Sequence, residues 1–195
     1  RGHERAGVER GPLGAAVPSK LAQHLDAANI AVAGDLPQGA PKNAKSAPLA
    51  DAFQNANIAL LLSGDAAAAG KALAKAAPDV QVSVVGNTAA LKAAKASGLK
   101  MEHFASITRD AQVQGEAMLS AKAKGSIAHV VAWGEGTVDV SHATVDGAWA
   151  LPHVGGEAII KPAELSADAK AEAIVAHVMD WYKGSGDEWG SMGVP

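Results

Sequence analysis

The chain has 195 residues, 48% of them hydrophobic and 19% charged, which is enough for a sizeable core in one domain or two small ones and excludes a disordered composition. Its 17 Lys and Arg against 20 Asp and Glu give a formal net charge of -3, so the basic balance of a nucleic-acid binder is absent. Cysteine is missing, which excludes disulfides and thiolate metal sites, and no apolar run reaches the roughly 18 residues that a membrane helix needs.

The expectation from composition is a soluble, intracellular protein with no nucleic-acid partner and no membrane insertion. The sequence begins at Arg1 without Met, so a processed start is expected and an organelle, mitochondrion or plastid, stays open as the compartment. Aromatic residues make up only 4%, and alanine stands where larger core side chains are usual. Small side chains bury little area each, so such a chain is expected to lean on neighbours for stability.

Residues 1–20 mix Gly, Pro and Arg without periodicity and read as an irregular arm. Gly11 and Gly14 lack a preceding strand and a third glycine, so they read as a loop rather than a phosphate turn. A short helix is predicted from Ser19 to Ala28, capped by Ser19 with Leu21 and Leu25 on one face. Asn29 to Ala33 reads as a strand, Gly34 to Pro48 as a linker, and Pro48 to Asn55 as a short helix. Ala56 to Leu62 reads as a buried strand ending at Ser63-Gly64-Asp65, and Ala66 to Ala77 as a helix stopped by Pro78.

Val80 to Ala96 is the stretch around which the chain is organised. The β-branched run Val82, Val84, Val85 predicts a strand covered on both faces, Gly86-Asn87 a tight turn, and Leu91, Ala94 and Lys95 a helix. Residues 56–96 thus form a β-α-β-α series with parallel strands, and ligands of open parallel sheets bind beyond the carboxyl ends of the strands. Gly86-Asn87 is therefore the expected position of a site.

After Met101 the pattern changes. Phe104 to Ile107 reads as a strand, Arg109 to Lys124 as a helix with Val113, Ala117 and Met118 inward, and Ser126 to Trp133 as another strand. Val138 to Val145 alternates and ends in the turn dipeptide Asp146-Gly147, which predicts antiparallel structure in a second lobe. Ser166 to Lys183 carries the clearest helix signals: Ser166 as cap, Asp168 against the dipole, a stripe of Ile174, Val178 and Trp181, and Gly184 as terminator.

Several of these segments line up, in order, with one family. Ala52 to Gly64 (AFQNANIALLLSG), Val80 to Asn87 (VQVSVVGN), Phe104 to Arg109 (FASITR), Ile127 to Gly134, Asp139 to Ala143, Ala158 to Lys161 and Trp189 to Val194 together resemble the cytosolic-type malate dehydrogenases. The resemblance covers residues 50–194. It implies an α/β fold, a partial Rossmann-like parallel sheet followed by part of an α+β catalytic lobe. It also implies a division into an irregular arm with a short helix (1–49), a remnant of the dinucleotide-binding domain (50–100) and a remnant of the catalytic domain (101–195).

The family's reaction is hydride transfer between NAD and malate, with a His as proton shuttle, an Asp orienting it and three Arg holding the carboxylates. Carried over residue by residue, the His falls at Gly136, the Asp at Ala111 and one substrate Arg at Gln114. The loop carrying the other two Arg is deleted after Gly64, and the chain contains only Arg1, Arg5, Arg10 and Arg109. Of the cofactor positions, Gly64, Gly86 and Asn87 remain as vestigial contacts, with Thr88 in place of a proline and Ala90 in place of a second Asn.

Asn87 reads otherwise as a turn residue capping the next helix, Arg109 with Asp110 as an exposed ion pair, and His129 and His142 as packed or surface imidazoles. No ligand spacing suggests a metal. The expectation is a catalytically inactive relative retained as a structural or scaffold subunit. Its partners would be other subunits of a larger complex, or a second copy in a homodimer, and it would carry no cofactor. An NAD-dependent malate dehydrogenase and a vestigial nucleotide-binding module are the alternatives.

Overall fold

The computed structural model describes residues 12–24, 30–33, 35–36, 38–134, 136–161, 165–186 and 190–193. The chain divides into two compact units, with the boundary between Ala105 and Ser106, inside a strand.

In the first unit, helix α1 (Pro12–His24) begins seven residues before the predicted Ser19. Pro12 holds the first helical position, where its fixed φ suits the helix and its missing N–H goes unneeded. Val17 and Leu21, one turn apart, are buried. Ser19 is therefore no cap; it lies inside the helix and its Oγ donates to the Gly39 carbonyl at 3.0 Å. Leu25 and Ala28 lie outside the described residues, as do Arg1, Arg5, Arg10 and Gly11.

Strand β1 (Ile30–Ala33) follows as expected, but the predicted linker contains a second strand, β2 (Ala44–Ala47), which pairs with it in parallel. The polar sequence Ala-Lys-Ser-Ala hides this strand, because it forms a two-stranded sheet with half its side chains in solvent. Helix α2 (Leu49–Ala52), strand β3 (Ile58–Leu61), helix α3 (Ala66–Leu73), strand β4 (Gln81–Val85) and helix α4 (Asn87–Ser97) then give the expected alternation. Strands β3 and β4 are parallel, in the register Ala59 with Val82 and Leu61 with Val84.

Helix α3 stops at Leu73 rather than Ala77. Asn55 N–H donates to the Lys75 carbonyl at 2.9 Å and Ala77 N–H to the Ala56 carbonyl at 3.0 Å, so the segment before β3 takes the groups that further helix would use. Asp65 caps α3, its Oδ1 accepting from Ala67 and Ala68 N–H. Val80, Val82, Val84, Leu73 and Phe104 form the core with Ala59, Ala69, Ala90, Ala93 and Ala94. Strand β5 (Phe104–Ile107) starts in this unit beside β4, giving the order β5-β4-β3.

The second unit takes the rest of β5, helix α5 (Arg109–Lys122), strands β6 (Ile127–Ala128), β7 (Val131–Gly134), β8 (Thr137–Asp139), β9 (Thr144–Val145), β10 (Ala148–Trp149) and β11 (Ile159–Ile160), helix α6 (Ala167–Lys183) and strand β12 (Met192–Gly193). The predicted continuous strand from Ser126 to Trp133 is broken at His129, which has a φ of 60°. Residues before the break pair with β9 and residues after it with β8, so the chain changes sheets there. Asp146 and Gly147, at φ 50° and 80°, make the expected turn between β9 and β10.

One face of the sheet β11-β8-β7 carries the row Ile160, Val138, Ala132 into the core with Leu119, Val130, Val140 and Val154. Helix α5 packs here on Ala111, Gln112, Gly115 and Leu119. Val113 and Met118 are half-buried and Ala117 is exposed, so the predicted inward face is rotated. Gly115 sets the rotation: a Cβ there would meet Val138 Cγ1 at 2.5 Å, and its absence lets the helix approach the sheet.

Helix α6 has Ser166 as cap, Oγ accepting from Ala169 N–H at 3.2 Å, and Gly184 at φ 87° as terminator. Ile174 and Val178 are buried as the stripe requires, while Trp181 is half-buried.

Small side chains allow α3 and α4 to pack closely, and Gly70 faces the Ala93 backbone carbonyl across that contact. Gly70→Ala should lower stability by about 1–3 kcal/mol, because a carbonyl cannot give way as a side-chain tip can. A urea titration monitored by circular dichroism checks this, with Ala74→Gly as the control for backbone entropy.

Candidate functional site

Sequence-predicted positions fall in two places. In the first unit, Gly64 and Gly86 follow the carboxyl ends of β3 and β4, at φ 92° and 95°. Only glycine adopts such angles readily, so the β-to-α turns depend on them. Gly64 is exposed and Gly86 is buried as the residue preceding α4. Asn87 is not a cap: Gly86 holds that position, and Asn87 is the first residue of the helix, its Oδ1 buried with no hydrogen-bond partner. Thr88 is exposed and Ala90 lies in the core.

The pyrophosphate of a dinucleotide in a doubly wound sheet rests on the helix N-terminus that follows the first strand. Here β1 passes to β2 through residues 34–43, and none of the described residues of that connection is helical. Among its described residues that connection therefore offers no helix N-terminus to a pyrophosphate. Among the described residues no three His, Asp or Glu side chains converge as metal ligands.

In the second unit, Gly136 sits at φ 67° in the connection between β7 and β8, exposed, with nothing within 4 Å of where a Cβ would be. Ala111 is 4% exposed in the core under α5, and Gln114 is half-buried on the same helix. None of these positions supplies a group that transfers a proton or pairs with a carboxylate. His129 and His142 are both exposed; His142 Nδ1 lies 3.0 Å from Ser141 Oγ.

The residues around the α5 N-terminus form a different arrangement from the expected Arg109–Asp110 pair. Asp110 instead lies 3.5 Å from Lys170 of α6, and Arg109 Nη1 donates to Gln112 Oε1 at 2.9 Å. The same Gln112 oxygen accepts from Ser191 N–H at 3.0 Å, and Ser191 Oγ accepts from Ala132 N–H at 2.9 Å. One buried amide, 2% exposed, thus ties α5 to the segment leading into β12, and that segment to β7. Strand β12 then pairs antiparallel with β5, Met192 opposite Ile107 and Gly193 opposite Ser106.

His177 lies on α6 beside this cluster, 1% exposed, with its ring edge-on to Trp181 at 6.2 Å. Burial pushes its pKa from 6.5 down to about 4; its hydrogen bond to the Ser191 backbone opposes that, Arg109 adds to it and Asp110 opposes it. The imidazole is neutral at physiological pH. It serves as a buried hydrogen-bonding group.

Sequence reasoning did not single out Gln112, His177 or Ser191. His177 was legible in principle: it lies three residues after Ile174 and one before Val178, on the buried stripe. Gln112 carried no such signal, because a polar residue in an amphipathic helix is read as solvent-facing.

On the outer face of the β11-β8-β7 sheet, Trp133 Nε1 donates to Asp139 Oδ2 at 2.9 Å and Ser141 N–H donates to Asp139 Oδ1 at 2.8 Å. Partial burial alone would raise the Asp139 pKa, but hydrogen bonds from the Ser141 side chain, Trp133 and the Ser141 backbone, with the nearby His142, hold it below the ordinary value of 3.8.

No protein-family model and no curated protein sequence matches the chain. Solved structures do. Malate dehydrogenase from Naegleria fowleri superposes with a TM-score of 0.62 and 23% identity, over 78% of this chain and 61% of that one. Malate dehydrogenase from Plasmodium falciparum, solved in complex with NADH, gives 0.56 and 15% over 73% and 60%. Lactate dehydrogenase from Cryptosporidium parvum gives 0.58 and 14% over 91% and 67%. The fold is a partial version of the Rossmann-like α/β fold that malate and lactate dehydrogenases share. The chain spans about three fifths of the length of the two malate dehydrogenases.

The buried His177 predicts a pH dependence. Its folded-state pKa is below the unfolded value, so the unfolded chain binds the extra proton, and stability present above pH 6.5 is lost as the pH falls toward about 4. The loss is on the order of 3 kcal/mol, and His177→Gln should flatten the slope in this window. Urea midpoints at pH 7 and 4.5 for both proteins measure it.

Proposed function

We propose that this chain is a divergent member of the malate and lactate dehydrogenase family that has lost catalysis and serves as a structural subunit of a larger protein assembly. One observation carries the reading: the positions that correspond to the proton shuttle, its orienting carboxylate and a substrate guanidinium are Gly136, Ala111 and Gln114, an exposed turn glycine, a core alanine and a half-buried amide. Loss of any one of these groups costs orders of magnitude in rate, and all three are missing together.

The absence of a helix among the described residues between β1 and β2 supports the same reading, and so does the surface. Trp133, Trp149 and Ile159 are exposed large apolar side chains of the second unit, a distribution more suited to contact with protein than with water. The partner would be another subunit or, as the simpler case, a second copy of this chain. A vestigial nucleotide-binding module is the second reading, favoured by the buried, unpartnered Oδ1 of Asn87 after β4. In that case NADH should bind saturably and Asn87→Ala should abolish binding.

The deciding experiment pairs two measurements. Purified chain mixed with NADH and oxaloacetate should give no oxidation above the enzyme-free rate, whereas steady turnover would restore the malate dehydrogenase reading. Tagged protein recovered gently from its own source should arrive with other proteins at fixed stoichiometry. Arrival as a lone monomer would overturn the structural-subunit reading.

A further inference from the structure

The β11-β8-β7 sheet has a second face, opposite the core. Cross-strand register puts Val131, Asp139 and Ile159 in one row on it, with Asp139 in the middle. Ile159 is 51% exposed and Trp133, two residues along β7 from Val131, is 68% exposed. A large exposed indole is usually free to rotate, but this one is fixed by its 2.9 Å hydrogen bond to Asp139 Oδ2. The carboxylate accepts from Trp133 Nε1 on Oδ2, from the Ser141 N–H on Oδ1 and from the Ser141 side chain as well, and so keeps part of its capacity of about four lone pairs. Among the described residues no lysine or arginine pairs with it.

The result is an accessible anion framed by two aliphatic side chains and the edge of an immobilised indole. Apolar neighbours weaken the screening of a charge, which makes a monovalent cation the complementary group. Trp133 and Ile159 are both more than half exposed, so a cation carried on a chain that also covers Val131 and Ile159 buries the most apolar surface. Guanidinium suits the site better than ammonium: it is planar, stacks on indole, and donates to a carboxylate from the same position. Trp and Arg are also the side chains that most often dominate the energy of protein interfaces.

We propose that Trp133 and Asp139 form a docking point for an arginine of a partner protein, presented between aliphatic residues that cover Val131 and Ile159. This deepens the structural-subunit reading and rests on it for the existence of a partner, but the contact is testable without one.

The probe is the peptide acetyl-Leu-Arg-Leu-amide, titrated into the full chain while the Trp133 indole N–H is followed by NMR and assigned with Trp133→Phe. A saturable shift is expected, with at least about tenfold weaker binding for Asp139→Asn, which keeps the shape of the site, by the same signal, and for Trp133→Ala by isothermal titration calorimetry. Unchanged thermal midpoints of both variants exclude misfolding as the cause. No saturable shift, equal binding of acetyl-Leu-Glu-Leu-amide, or full binding by Asp139→Asn would overturn the docking point. Recovery of Asp139→Asn with its full complement of co-purifying proteins would likewise overturn the docking point and leave the subunit reading intact, whereas a wild-type chain recovered alone would sink the subunit reading instead.

Discussion

The second unit depends on a single amide. Gln112 Oε1 accepts from the guanidinium of Arg109 and from the backbone N–H of Ser191, and Ser191 in turn accepts from Ala132. A helix, a sheet strand and the strand entering the sheet from the far end of the chain are thereby held at fixed separations by directional bonds. Burying that many polar groups is unfavourable unless each is satisfied, and removing one partner leaves the others desolvated and unmatched. Such a cluster tolerates little change, which gives it the appearance of an active site. Its chemistry is that of a fastening: Arg109 meets a neutral amide, and His177 is kept uncharged by burial.

The cluster is closed on itself. In a working site the polar groups face a cavity and are completed by substrate. Here Gln112 Oε1 and the Ser191 N–H complete one another. Ser106 and Thr108 at the end of β5 still carry buried hydroxyls with no hydrogen-bond partner, the sort of residual cost that a fold accepts where packing holds the surroundings in place. The core contributions of Leu119, Val130, Val138 and Ile174 are independent of any ligand, and a fold does not by itself fix a function.

What could be read from the sequence follows the strength of local signals. The β3-α3-β4-α4 series was legible because buried parallel strands are continuous apolar runs and glycine between strand and helix supplies the positive φ that such turns need. The α6 boundaries were legible from Ser166 and Gly184. Strand β2 was not, because Ala44 to Ala47 resembles any polar linker and is a strand only by pairing with β1. Nor was the break at His129, where the chain exchanges one sheet for another at a residue with no turn signature. The rotated face of α5 came from a tertiary cause, the close approach at Gly115. The polar cluster at the start of α5 could not be read at all, since Gln112 and Ser191 are 79 residues apart.

The contact between α3 and α4, in which Gly70 meets the Ala93 backbone and alanines fill the surroundings, has an evolutionary consequence. These side chains are already close to the smallest available. A single-nucleotide change in an alanine codon leads to Val, Thr, Ser, Pro, Asp, Glu or Gly, and all but the last add bulk or a polar group to a surface with no room for either. Conventional cores drift by exchanging one large aliphatic residue for another. This one has no neutral neighbours in sequence space, so its alanine-rich composition becomes self-perpetuating: a lineage that has entered it leaves only through several coordinated substitutions.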